Sequence, residues 1–217
     1  MIDRRKFTRS QPEERKTALI EATLRIIAAK GLSAATVRDI SAEAGVTQGL
    51  IRHYFDSKDD LIKAAYEHHM ISISDAALRC ADDDERSAVA RLIRFLSASL
   101  EPPVMDAIAV GLWAGFLDKV RHDAHMHAIH NQTYHYFRNI LEQMISDAYA
   151  EIGVSVPARR VQQLATASNA VIDGLWMEGG VLPELFEPGE ISRIGIESVG
   201  AILQINLTQE AAADATE

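Results

Sequence analysis

Apolar residues recur along the chain with a period close to 3.6, the spacing that places them on one face of an α-helix. Leu19, Ala22, Ile26 and Ile27 form one stripe, which stops at Lys30-Gly31, where a glycine can close a helix. Val89, Leu92, Ile93, Leu96 and Leu100 form a second, and Tyr134, Phe137, Leu141, Met144, Ile145 and Ala148 a third. Val161, Leu164, Ala165, Ser168, Val171, Ile172, Leu175 and Gly179 form a fourth, and Ile191, Ile194, Val199, Ile202 and Ile205 the last. Pro12, Pro102, Pro103, Pro157, Pro183 and Pro188 are read as marks where these patterns start or stop. No alternating run is long enough for a strand. The pattern predicts an all-α protein of about nine helices with short connections. The tail 211–217 is expected to be disordered.

One segment is more informative than the stripes. Residues 36–61 read TVRDISAEAGVTQGLIRHYFDSKDDL. Thr36 precedes Val37, Ile40 and Ala44 and can cap a short helix. Gly45 can take the positive φ of a tight turn, which Val46 plugs, and Thr47 caps a second short helix holding Leu50, Ile51 and Tyr54. Two short helices across a three-residue turn are the arithmetic of a helix-turn-helix. The second exposes Thr47, Gln48, Gly49, Arg52 and His53, whose hydroxyl, amide and guanidinium groups can meet phosphates and base edges. Gly49, without a side chain, lets the helix lie near the groove floor. Phe55 reads as core. Asp56-Ser57-Lys58-Asp59-Asp60 opens a further helix with a capping residue and an acidic first turn.

Charge agrees once it is mapped. The net charge of −9 argues against nucleic acid, but residues 1–52 carry ten Lys/Arg against six acids, +4, which leaves −13 on the rest. A basic head on an acidic body fits a nucleic-acid module joined to something kept off the phosphates. Arg4-Arg5-Lys6-Phe7-Thr8-Arg9 is either a minor-groove arm or a frayed terminus. The lone Cys80 excludes an internal disulfide and suggests a reducing compartment. The polar start lacks a signal-peptide core. The longest uncharged apolar run, Ala107 to Leu117, is eleven residues, too short for a bilayer. The expectation is a cytoplasmic protein without membrane contact.

The run 36–61 closely resembles the DNA-binding signature of TetR-family transcriptional regulators. The likeness extends from Pro12 to about Tyr66 and rests on Ala44-Gly45-Val46-Thr47, Gly49, His53-Tyr54-Phe55 and Ser57-Lys58-Asp59. The resemblance implies that Thr36 and Thr47 contact phosphates, that Gln48, Gly49 and Arg52 face bases, that His53 and Tyr54 anchor on the backbone, and that Lys58 meets a phosphate. It implies a DNA-binding domain over 1–66 and a helical effector-binding and dimerisation domain over 67–210.

Further on, Leu112-Trp113-Ala114-Gly115-Phe116 and Val171-Ile172-Asp173-Gly174-Leu175-Trp176 resemble the C-terminal domain of BetI-type regulators, which govern choline-to-betaine genes. Ala107 to Leu117, apolar on all sides, should be buried all round. Trp113, Phe116 and Trp176, with Asp173, are candidate effector residues, because rings and a carboxylate can hold an ammonium group; core packing is the other reading of the same residues. His122, His125, His127 and His130, with His135 beyond and Asp123 nearby, admit a metal-sensing variant, although nothing completes a ligand set. Polar histidines opening a surface helix are the alternative, and no metal or cofactor is assigned. The resemblance implies a homodimer through the last two helices, roughly 157–181 and 188–207, where Ala165, Ala167, Ser168 and Ala170 permit close approach. The leading expectation is a repressor that a small-molecule effector releases from a palindromic operator. The alternatives are an adaptor that binds no DNA and a metal-responsive regulator. The absence of a dinucleotide fingerprint, P-loop, zinc-protease motif and nucleophile elbow argues against an enzyme.

Overall fold

The computed structural model describes residues 4–81 and 87–208, with side chains from Pro12 onward. The described secondary structure is entirely helical: α1 (Arg4–Lys30), α2 (Val37–Glu43), α3 (Gln48–Tyr54), α4 (Lys58–Ala81), α5 (Ala88–Ser99), α6 (Ala107–His122), α7 (Ala124–Glu151), α8 (Ala158–Val181) and α9 (Glu190–Leu203), with a 3₁₀ turn over Pro183–Leu185. The apolar stripes fall on α1, α5, α7, α8 and α9. Pro157 stands at the N-cap of α8, and Pro183 begins the 3₁₀ turn. Pro12 departs from its reading as a boundary, because α1 runs through it. The basic run from Arg4 to Arg9 lies outside the described side chains, and the tail 211–217 outside the described residues.

The chain divides into two compact units. One comprises the residues up to Met70 together with Gly111–His130; the other comprises Ile71–Val110 and the chain from Asn131. Helices α4, α6 and α7 supply residues to both. In the first unit Leu19, Ile27, Ile40, Ile51, Phe55, Leu61 and Tyr66 bury a core with Leu112, Phe116, Val120 and Met126. Phe55 is core, as its place among apolar residues suggested.

In the second unit Leu92, Phe95 and Leu96 of α5 pack with Leu141 and Ile145 of α7, Leu164 and Ile172 of α8 and Val199 of α9. Close helix approach here depends on glycine. A Cβ on Gly180 would collide with the Val110 side chain, and one on Gly195 with Leu100.

Helix α6 departs from the sequence reading. Ala107, Ile108, Gly111, Ala114 and Gly115 are exposed, with Ile108 at 63%. The flank carrying Ala109, Leu112, Phe116 and Val120 is buried, and Val110 is buried beside Gly180. Apart from Ile108, the open side of 107–117 carries alanine and glycine, which cost little to expose.

Candidate nucleic-acid interface and effector site

Local chemistry sets the geometry of α2 and α3. Thr36 caps α2: its Oγ1 accepts from the Asp39 backbone N–H at 3.1 Å and donates to the Asp39 carboxylate at 2.6 Å. The Thr36 hydroxyl, followed by Lys30 at 3.0 Å, holds the Asp39 carboxyl below the usual carboxylate range. Gly45 turns the chain at φ +66°, and the Val46 N–H donates to the Ser41 carbonyl at 2.9 Å. Thr47 stands at the N-cap of α3 with its side chain uncommitted to the helix end. Ser57 caps α4 in the same manner as Thr36 caps α2: its Oγ accepts from the Asp60 N–H at 3.0 Å and donates to the Asp60 carboxylate at 2.7 Å.

Gln48, Gly49, Arg52 and His53 are exposed on α3, while Ile51, on its other side, is 2% exposed. The side chains of Gln48 and Arg52 make no hydrogen bond or ion pair with another described residue. In contrast, Arg25 is engaged by Glu43 at 2.7 Å and Lys30 by Asp39. The cations that tie α1 to α2 are therefore spent, and the polar groups of α3 are available. Tyr54 is half-buried with His53 edge-on, their ring centroids 5.1 Å apart, and Lys58 is half-buried at the start of α4.

Four charges converge elsewhere within the same unit. Lys119 Nζ lies 2.5 Å from Asp59 Oδ1 and 3.3 Å from Asp123 Oδ2; Lys63 Nζ lies 2.6 Å from Asp59 and 3.3 Å from Asp123. Asp123 also accepts from the backbone N–H groups of His125 and Met126, so it caps α7. The Met126 N–H leads, with the two lysines after it, in holding the Asp123 carboxyl far below the usual range. This cluster was not apparent in the sequence, because its members come from three separate elements.

The four effector candidates fall in different units. Trp113 and Phe116 belong to the first, where Phe116 is fully buried with its ring 4.8 Å from that of Tyr66. Asp173 and Trp176 belong to the second. Trp176 donates its indole N–H to the Val104 carbonyl at 2.9 Å. Asp173 is half-buried, and its Oδ2 accepts from Tyr134 Oη–H at 3.1 Å and from Asn169 Nδ2–H at 2.8 Å. Burial raises its carboxyl above the ordinary range against the pull of both donors and of Arg138.

The histidines separate. His122 ends α6 and donates to the Asp118 carbonyl at 2.8 Å, whereas His125 lies on α7, past the Asp123 cap, so the two do not share a helix. His130 pairs through Nδ1 with the Tyr66 hydroxyl at 2.5 Å. No group of three or more His, Cys, Asp or Glu side chains among the described residues is placed to hold a metal ion.

Residues 19–65 match the family model for bacterial regulatory proteins of the tetR family, and residues 88–204 match that for the C-terminal domain of BetI-type transcriptional repressors. The chain belongs to the TetR family of transcriptional regulators. Its C-terminal domain is of the BetI type, and the family acts by binding DNA, not by catalysis. The regulator is 26% identical over 191 residues to the HTH-type transcriptional regulator BetI of Burkholderia thailandensis, covering 88% of this chain and 94% of that one. Its likeness to the BetI of Burkholderia ambifaria is 28% over 172 residues, 78% and 84% of the two chains. Among solved structures it superposes on a transcriptional regulator of Pseudomonas aeruginosa with a TM-score of 0.78 and 30% identity, covering 91% and 94%. A regulator of Saccharomonospora viridis solved in complex with choline shares the fold, with a TM-score of 0.68, 20% identity and coverage of 89% and 97%. No helix among the described residues of the regulator is long and apolar enough to cross a membrane.

Proposed function

We propose that the protein is a homodimeric cytoplasmic repressor that leaves a palindromic operator when a small organic cation binds its C-terminal domain. The observation that carries the DNA-binding face is the exposed, unspent polar side of α3, held by the Thr36 cap and the Gly45 turn. Gln48 and Arg52 read base edges, Gly49 allows close approach, and Thr47, His53, Tyr54 and Lys58 engage the phosphate backbone. Thr36, whose hydroxyl is given to Asp39, can meet a phosphate only through its backbone N–H. A dimer presents two such helices to successive major grooves.

The effector site centres on Asp173 and Trp176, one helical turn apart on α8. The choline held by the structurally similar Saccharomonospora viridis regulator supports a choline-like cation. A gel shift with the DNA upstream of the protein's own gene tests the proposal. The expected result is a shifted band that millimolar choline or a related amine dissolves. Absence of a shift would favour an adaptor without DNA, and release by a divalent metal alone would favour the metal-responsive reading.

A further inference from the structure

Asp173 carries a charge that its surroundings orient but do not neutralise. Tyr134 and Asn169 are neutral donors, and both bonds go to Oδ2. An sp² carboxylate oxygen has two lone pairs, so these donors fill that atom. Oδ1 has no hydrogen-bond partner among the described residues, and no lysine or arginine among them lies within ion-pairing distance of the carboxylate. Arg138 acts on it only from beyond ion-pairing distance, and a half-buried carboxylate that no cation contacts is costly to keep. At the next residue of the helix, Gly174, a Cβ would meet nothing within 4 Å. Trp176 spends its N–H on Val104, which leaves the ring to act only through its faces and edges.

We infer that Asp173 Oδ1 accepts a hydrogen bond from the effector, and that Tyr134 and Asn169 set specificity by pinning the carboxylate in the orientation that presents this atom. This rests on the reading that the effector is a small organic cation, and it narrows that class. The effector carries an O–H or N–H donor within a few bonds of its positive charge. A cation with no donor gains only the Coulomb attraction. A cation with one gains a charge-assisted hydrogen bond in a partly dry site as well. Tyr134 and Asn169 need not touch the effector; they act through Asp173 as positioning residues.

Calorimetric titration of the full-length protein tests this with choline, ethanolammonium, tetramethylammonium and the uncharged 3,3-dimethylbutan-1-ol. The expected result is that choline or ethanolammonium binds about ten-fold or more tighter than tetramethylammonium, the factor expected for one hydrogen bond to a charged group. The neutral alcohol should bind weakest. Tyr134→Phe removes only a hydroxyl, and with Asn169→Ala it should bring the cations to within about three-fold of one another while tetramethylammonium affinity holds. If the double variant does not fold, Tyr134→Phe alone should already narrow the ratio. Equal binding of all cations by the native protein, or a ratio unchanged in the variants, overturns the inference and leaves the organic-cation reading standing. Failure of every cation to bind, the donor-free one included, removes that reading and the inference together.

Discussion

Lys119 Nζ lies 2.5 Å from Asp59 Oδ1, which joins the last turn of α6 to the first turn of α4. The side chains are 23% and 43% exposed, so the pair is screened but not fully solvated. Asp59 and Asp123 are both held below the usual carboxylate range, Asp59 chiefly by Lys119 and Asp123 chiefly by the Met126 N–H. Lys119→Met should destabilise the fold by about 1 kcal/mol at neutral pH, the upper end for screened pairs. The sign follows from the lowered carboxyls: their contribution is complete above the unfolded carboxylate range and is lost as pH falls through the folded one. The deficit of the variant, followed by denaturant unfolding at several pH values, should therefore shrink as pH falls below about 4, the ordinary carboxylate range.

Lys58 and Arg52 should fail differently. Lys58→Ala should weaken binding to every DNA sequence alike and lower the salt slope by about one phosphate's worth. Arg52→Ala and Gln48→Ala should instead relax preference at particular base pairs, by about 1–3 kcal/mol where the contact is bidentate. Competition binding with single-base operator variants across a salt series separates the two behaviours. A change of base preference in Lys58→Ala would move that residue out of the phosphate class.

The glycines give a test with opposite signs. Gly45 sits at φ +66° with open space where a Cβ would point, so only backbone strain opposes a side chain. Gly45→Ala should cost about 1–2 kcal/mol, and Gly45→Asn less. Gly111 lies on the exposed side of α6 with equally open space and no positive φ. Gly111→Ala should raise stability by about 0.5–1 kcal/mol through a less flexible unfolded chain. Urea midpoints of the two variants moving the same way would contradict this account.

The parts that were legible in the sequence are those fixed by neighbours in the chain. Thr36, Gly45 and Ser57 act within three or four residues, so spacing alone located α2, the turn and the start of α4. Asp123 carries the same kind of signal, a capping residue ahead of Ala124-His125-Met126, which puts His125 on a new helix after His122. Asn169 stands four residues before Asp173, a readable helical spacing, but Tyr134 reaches Asp173 across 39 positions, which no local pattern reveals. The open side of α6 was hidden for a related reason. Alanine and glycine sit equally well in water and in a core, so a hydrophobic count cannot orient them.

Residues 165 and 170 of α8 distinguish the subunit's own core from the proposed dimer face. Ala165 is 0% exposed within one chain and packs in the core of the second unit, and Ser168 is likewise fully buried there. Ala167 and Ala170 are exposed on the other side of the helix, the side that also carries Met177 at 45% and Val181 at 59% exposure. The four small residues that suggested close approach thus divide into two pairs. An arginine at Ala165 would place an uncompensated charge and a long side chain in a packed core, and Ala165→Arg should not fold. An arginine at Ala170 meets no resistance within its own chain. If α8 and α9 pair with their copies, Ala170→Arg opposes that pairing by burying an unpaired charge between subunits. Sizing chromatography with light scattering should then give a folded monomer with native helix content by circular dichroism and lost operator binding. Ala170→Ser, small and uncharged, should remain dimeric and bind DNA. A dimeric Ala170→Arg would place the subunit contact on another face.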